Sequence, residues 1–157
     1  MAADLARALA QTVERELPNL RALTGEQASV PRGPGKWRPK EELGHLIDSA
    51  ANNHVRFAAS AIGPEFRGSG YAQDDWVRLH GYSAMPWEAI VDFWSAYNGL
   101  LTRLIERIPE SQMQAKVVIG ANDPVTLGFL IDDYILHMQH HIDLLLRRAN
   151  VTQYPRA

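Results

Sequence analysis

Apolar residues recur at helical spacing in four stretches of the chain, and clusters of proline and glycine separate them. The first stretch, from about Ala3 to Leu23, places Leu5, Leu9, Val13 and Leu17 on one side with charges between them, and Pro18 predicts a kink or break near Leu17. Thr24 to Lys36, with Gly25, Pro31, Gly33, Pro34 and Gly35, reads as a linker. A second helix opens at Pro39, carries Glu41 in its first turn and runs to about Ile62, where Gly63-Pro64 stops it. Its apolar stripe is Leu43, Leu46, Ile47, Ala50, Phe57 and Ala61. Glu65 to Ser83 is a long connection with room for a short helix around Asp74 to Leu79. Met85-Pro86-Trp87 opens a third helix, with Ser83 as a candidate cap, that runs to about Ile108 before Pro109. Its stripe from Ile90 and Phe93 through Trp94, Tyr97, Leu100 and Leu101 to Leu104 and Ile108 reads as core. Lys116 to Gly120 is a short extended run or hairpin. The last helix, capped by Thr126 or Asp123, continues to about Arg148, and the tail from Asn150 to Ala157 is expected to be poorly ordered. Four amphipathic helices with two longish connections predict an all-α four-helix bundle, one domain over residues 1–157 with its core at about 3–148.

Length and charge narrow the functional classes. A chain of 157 residues suits one domain able to bury most of its apolar surface. Lys and Arg number 16 against 18 Asp and Glu, and no stretch gathers the basic residues that a grip on nucleic acid needs. There is no cysteine, which removes disulfides, zinc-thiolate sites and a cysteine nucleophile together. Asp4, Arg7, Glu14, Arg15 and Glu16 interrupt the first apolar stretch, so it is neither a signal peptide nor a membrane span, and the cytoplasm is the expected location.

The chemistry-bearing residues concentrate in the last helix. His137, His140 and His141 lie within Asp132-Asp133-Tyr134-Ile135-Leu136-His137-Met138-Gln139-His140-His141-Ile142-Asp143. At about 100° per residue, His141 falls within the stripe of Leu130, Ile131, Tyr134, Met138 and Leu145, His137 lies roughly 40° away, and His140 swings towards the rim. Two imidazoles one turn apart can converge on one metal ion if a third ligand comes from elsewhere. On the second helix His45 falls with Asp48, Ser49, Asn52 and Arg56 on the polar side, so the pattern alone turns His45 to water. Its use as a ligand requires that side to line a polar cleft.

Trp37-x-x-x-Glu41-x-x-x-His45-Leu46-x-Asp48-Ser49, followed by Asn52 and Arg56-Phe57, resembles the second-helix signature of the DinB/YfiT-like superfamily. Asp133-Tyr134-x-x-His137-x-x-His140-His141 resembles its last-helix signature, and Tyr71-x-x-x-x-Trp76 with Pro86-Trp87 resembles the YfiT branch. The resemblance spans most of residues 30–148 and implies an up-up-down-down four-helix bundle. It also implies a divalent metal, commonly zinc or nickel, on His45, His137 and His141, with His140 not a usual ligand. The superfamily includes thiol-dependent transferases and isomerases, and proteins described as metal-dependent hydrolases. Arg38 departs from the Ser or Thr often found there, which weakens the helix cap.

Three neutral imidazoles leave a bound zinc ion one open position, the catalytic pattern, where water or a low-molecular-weight thiol can bind. Asp48 and Asp133, each one turn from a histidine, are candidates to orient an imidazole through its second nitrogen, and Asn52, Gln73, Trp76 and Tyr134 are candidates to line the pocket. The expected function is therefore metal-dependent hydrolysis or S-transfer on a small-molecule substrate, without nucleic-acid or membrane partners. The alternative is a non-catalytic metal-binding bundle with a structural or interaction role, and a homodimer is compatible with either.

Overall fold

The computed structural model describes residues 1–156. In chain order the elements are α1 (Ala2–Arg21), α2 (Pro39–Ile62), β1 (Glu65–Gly68), α3 (Gln73–His80), α4 (Trp87–Glu106), β2 (Lys116–Ile119), β3 (Val125–Thr126) and α5 (Leu127–Leu145). The four long helices form the bundle: α1 and α2 each pack against both α4 and α5, so α1 and α2 stand on one diagonal. Contacts near the helix ends give the directions. The Trp87 indole N–H at the start of α4 donates to the Leu20 carbonyl at the end of α1 (2.8 Å), whereas Arg15 donates to Gln139 (2.6 Å) along two helices running the same way. His54 on α2 meets Tyr97 on α4 (3.1 Å), and Gln112, just past α4, donates to the Ala61 carbonyl near the end of α2 (3.2 Å), so these two are parallel as well.

The order is thus up-down-down-up, in place of the up-up-down-down order implied by the resemblance. The parallel pair α2 and α4 requires the chain to return along the bundle between them. Residues 63–86 do this, passing through β1 and α3 and ending with Tyr82 seated against Gly44, where an added Cβ would lie 2.2 Å from the ring. A connection of that length easily spans a helix that rises about 1.5 Å per residue.

Several local expectations change. Pro18 does not break α1, and the Ala22 N–H bonds the Pro18 carbonyl at 3.0 Å. Pro18 and Glu14 are both exposed, so water can satisfy the carbonyl left unpaired by the missing N–H. The buried side of α1 is Ala2, Ala6, Leu9, Thr12, Glu16 and Leu20, and it includes a carboxylate that the apolar pattern does not anticipate. On α4, Pro86 rather than Ser83 precedes the first helical residue, and Phe93 and Leu100 are exposed while Ile90, Trp94, Leu101 and Ile105 are buried. Thr126 caps α5, its hydroxyl accepting the Phe129 N–H at 3.1 Å. That helix stops at Leu145, because Arg147 takes a left-handed conformation (φ 54°). Arg38 has no side-chain acceptor with which to cap α2; the Glu41 carboxylate instead accepts the Arg38 backbone N–H at 3.1 Å.

The extended run expected at Lys116–Gly120 is β2, which pairs antiparallel with β3 and parallel with β1, a strand from the long connection. The tail is held through Arg156, contrary to expectation, while Ala157 lies outside the described residues. Thr152 donates through its backbone N–H and its hydroxyl to Asp143 (2.9 and 2.6 Å), and Tyr154 donates to Asp133 (3.1 Å). No helix among the described residues is long and apolar enough to cross a membrane.

Candidate metal centre

The antiparallel packing of α2 on α5 brings the start of one helix against the end of the other, and three imidazoles meet there. His45, His137 and His141 have nitrogen atoms that all lie within 4.8 Å of one another. His45 Nε2 and His137 Nε2 are 3.1 Å apart, and the ring centroids of the three pairs are separated by 5.1, 4.6 and 4.5 Å. Ligand bonds of about 2.0–2.1 Å place two nitrogens about 3.0–3.4 Å apart around one ion, so the His45–His137 spacing suits a shared metal with little adjustment.

His45 is 1% exposed despite its place on the polar stripe of α2. The stripe is polar but buried: Asp48, Ser49, Asn53 and Arg56 share its enclosure, because α5 covers one flank and the returning connection the other. Trp37 stacks over His45 with centroids 4.9 Å apart. Burial, and then the neighbouring His141, pushes His45 down to about 3 and His137 to about 2. Both rings are therefore neutral at pH 7, the form that coordinates metal without first losing a proton.

The histidine that is oriented by a carboxylate is His141. Its Nδ1–H donates to Glu42 Oε1 at 2.5 Å, which fixes the tautomer and leaves Nε2 free as a ligand. Glu42 is 1% exposed, and the Arg32 guanidinium lies 3.5 Å from its other oxygen. Neither residue was singled out from the sequence. Glu42 sits three residues before His45, so its helical spacing was a usable signal, whereas Arg32 comes from the linker and carried none.

The two aspartates expected in the orienting role are otherwise engaged. Asp48 Oδ1 accepts the Tyr82 hydroxyl at 2.7 Å and lies 2.9 Å from His80 Nδ1, and burial raises its pKa against those two contacts. Asp133 accepts from Tyr154. His140 stays off the cluster, as its rim angle predicts, and its Nδ1–H donates to the Thr152 carbonyl at 2.7 Å.

A cavity of about 310 Å³ opens beside His137. Of the expected pocket residues, Gln73 and Tyr134 line it. Asn52 instead donates to the Asp48 carbonyl (2.9 Å), and Trp76 packs against Tyr71 and His80 with centroids 5.1 and 5.7 Å apart. Wall residues not expected from the sequence include Asn53, Arg56, Tyr71 and Tyr154. Burial raises the Tyr71 and Tyr154 hydroxyls to about 12. Both are therefore hydrogen-bond donors in the cavity at neutral pH.

A family model described as the DinB superfamily matches residues 5–145. The chain belongs to the DinB superfamily. A protein of Oceanobacillus iheyensis described as a candidate metal-dependent hydrolase is 22% identical over 120 residues, 76% of this chain and 69% of its own. YfiT from Bacillus subtilis, described as a probable metal-dependent hydrolase with an unusual four-helix bundle topology, superposes with a TM-score of 0.80 at 21% identity, over 94% of this chain and 86% of its own. At that identity the likeness to YfiT is one of fold. In this DinB-superfamily chain, Glu42→Gln is expected to weaken divalent-metal affinity about 10–100-fold, because the amide cannot polarise His141 as a carboxylate does. Competitive titration against a fluorescent chelator measures this, and unchanged affinity would remove Glu42 from the site.

Proposed function

We propose that the protein is a metal-dependent enzyme in which His45, His137 and His141 hold one divalent ion, zinc or nickel, for hydrolysis or S-transfer on a small molecule. The observation that carries this reading is the bond from His141 to buried Glu42 beside two neutral imidazoles. That arrangement prepares three nitrogen donors and orients one of them, and it offers no fourth protein ligand among the described residues. A bound ion with an open position lowers the pKa of water, or favours a small thiol as thiolate. With no cysteine in the chain, either nucleophile comes from solution.

The protein's own groups have separate tasks. Trp37 shields His45, while Glu42 and Arg32 together hold the His141 ring in place. The cavity beside His137 receives the substrate, with Tyr71 and Tyr154 donating hydrogen bonds. The two names reported for relatives, both referring to metal-dependent hydrolysis, agree with this reading.

Cobalt(II) substitution tests the proposal without knowledge of the substrate. The visible spectrum of the loaded protein is expected to change with pH and on addition of a small thiol, as an exchangeable position requires. A spectrum indifferent to pH, thiols and small anions would mean a closed, structural site. Activated esters assayed with and without thiol then separate the two nucleophiles.

A further inference from the structure

Arg56 is a buried cation at the wall of the cavity, and among the described residues no carboxylate pairs with it. The residue is 8% exposed, and it lies on the same side of α2 as His45, three turns further on. Its guanidinium donates to Asn53 Oδ1 at 3.4 Å and to the Ser69 carbonyl at 3.3 Å, two neutral acceptors near the long limit of hydrogen bonding. Among the described residues its only side-chain hydrogen-bond partner is Asn53, while the buried carboxylates Glu16 and Asp143 share Arg148 and Glu42 faces Arg32. Asp133 and Asp123 line the same cavity without reaching ion-pair distance of Arg56, and Asp133 is taken up by Tyr154.

A guanidinium offers five N–H donors in a fixed plane that matches two oxygens of a carboxylate or phosphate. Buried charges are normally paired, so one kept unpaired at the wall of a cavity points to a ligand that supplies the counter-charge. Arg56, Ser49, Asn53, Tyr71 and His137 all line this one cavity. Along the helix axis His45 and Arg56 are separated by roughly 16 Å, shortened where the arginine side chain leans back towards the helix start. A cavity of about 310 Å³ holds a small molecule that can reach both ends.

We propose that Arg56 is the anchor for an anionic group, a carboxylate or a phosphate, at one end of the substrate, whose other end is presented at His137. This rests on the proposed metal-centre function for the identity of the reacting end, and on the cavity alone for the anion. The aspartates on the remaining wall disfavour a second negative charge, so the substrate class is small molecules carrying their anionic group at one end.

Calorimetric titration at constant ionic strength tests the anchor with propionate, inorganic phosphate and neutral propionamide. The proteins are metal-loaded wild type, Arg56→Gln, Arg56→Lys and metal-free His45→Ala. Propionate or phosphate is expected to bind wild type and His45→Ala alike, about 10–100-fold more weakly in Arg56→Gln, with Arg56→Lys between them and propionamide not bound. Whichever anion binds more tightly identifies the group. Binding that survives Arg56→Gln but vanishes in His45→Ala would place the anion on the metal and overturn the anchor. Equal affinity for propionamide, or no binding by either anion, would overturn it as well. Should Arg56→Gln fail to fold by its melting curve, Arg56→Lys carries the comparison, and unweakened binding there counts against a planar two-oxygen contact. Failure of wild type to take up metal defeats the proposed function, while the metal-free titrations still decide the role of Arg56.

Discussion

Arg148→Ala is expected to lower stability to urea by about 3 kcal/mol, near the lower end of the range for breaking a buried ion pair. Arg148 donates to Glu16 at 2.6 and 3.0 Å and to Asp143 at 2.8 Å, and both carboxylates are buried where α1, α5 and the tail meet. Burial alone would raise both carboxyl groups; for Glu16 the hydrogen bonds from Arg148, Gln139 and Asn19 outweigh it, and for Asp143 those from Thr152, Arg148 and Gln139 do, so both pKa values fall below the usual range. Removal of the guanidinium leaves two enclosed negative charges facing each other. Arg15, Gln139, Asn19 and Thr152 remain as donors, which is why the loss is placed low in the range. A loss under about 1 kcal/mol would show that water reaches the pair and replaces the guanidinium.

Acid is expected to destabilise the metal-free protein well before its carboxylates titrate. His45 and His137, held at about 3 and about 2 by burial, stay neutral in the fold, whereas an unfolded histidine takes up a proton near pH 6.5. Between those values the unfolded chain binds more protons. The contribution of these two groups is therefore complete above about pH 6.5 and declines as pH falls, by up to about 1.4 kcal/mol per pH unit for each. Glu16 and Asp143, whose folded pKa values are depressed, add a second decline only below about pH 4.5. Asp48 and Asp133, raised by burial, act in the opposite sense, favouring the fold at low pH and losing that contribution as pH rises. Melting temperatures of chelator-treated protein from pH 8 to pH 5 measure the first decline. A flat profile over that interval would mean that the imidazoles are hydrated in the fold.

Helical periodicity made the four long helices legible because each buries one side against a neighbour, and the spacing of His137 and His141 placed both on the inner side of α5. The same reasoning turned His45 outward. A helical wheel reports angles around one axis and says nothing of what later packs against the polar side. Here the returning connection, with Tyr82 seated on Gly44, closes over Asp48, Ser49 and Arg56. The motif resemblance supplied what periodicity could not, by setting His45 beside the α5 pair.

The orienting carboxylate was missed for a related reason. Asp48 and Asp133 have the sequence spacing, but a bond to an imidazole depends on the side chain's direction across the α2–α5 interface, and Glu42 alone faces His141 there. The helix directions were also hidden, since either order satisfies the same apolar stripes, and contacts such as Trp87 with Leu20 are needed to choose. The tail looked unstructured because Thr152 and Tyr154 are held by individual polar contacts, Thr152 by Asp143 and His140 and Tyr154 by Asp133, with no periodic pattern.

Elemental analysis of the purified protein by plasma mass spectrometry, beside His45→Ala and His141→Ala, bears most directly on the three-histidine centre. One divalent ion per chain in wild type, lost in both variants while their helical circular dichroism is retained, is the expected result. Wild type that takes up no divalent metal after reconstitution, or variants that keep it in full, would contradict the shared site.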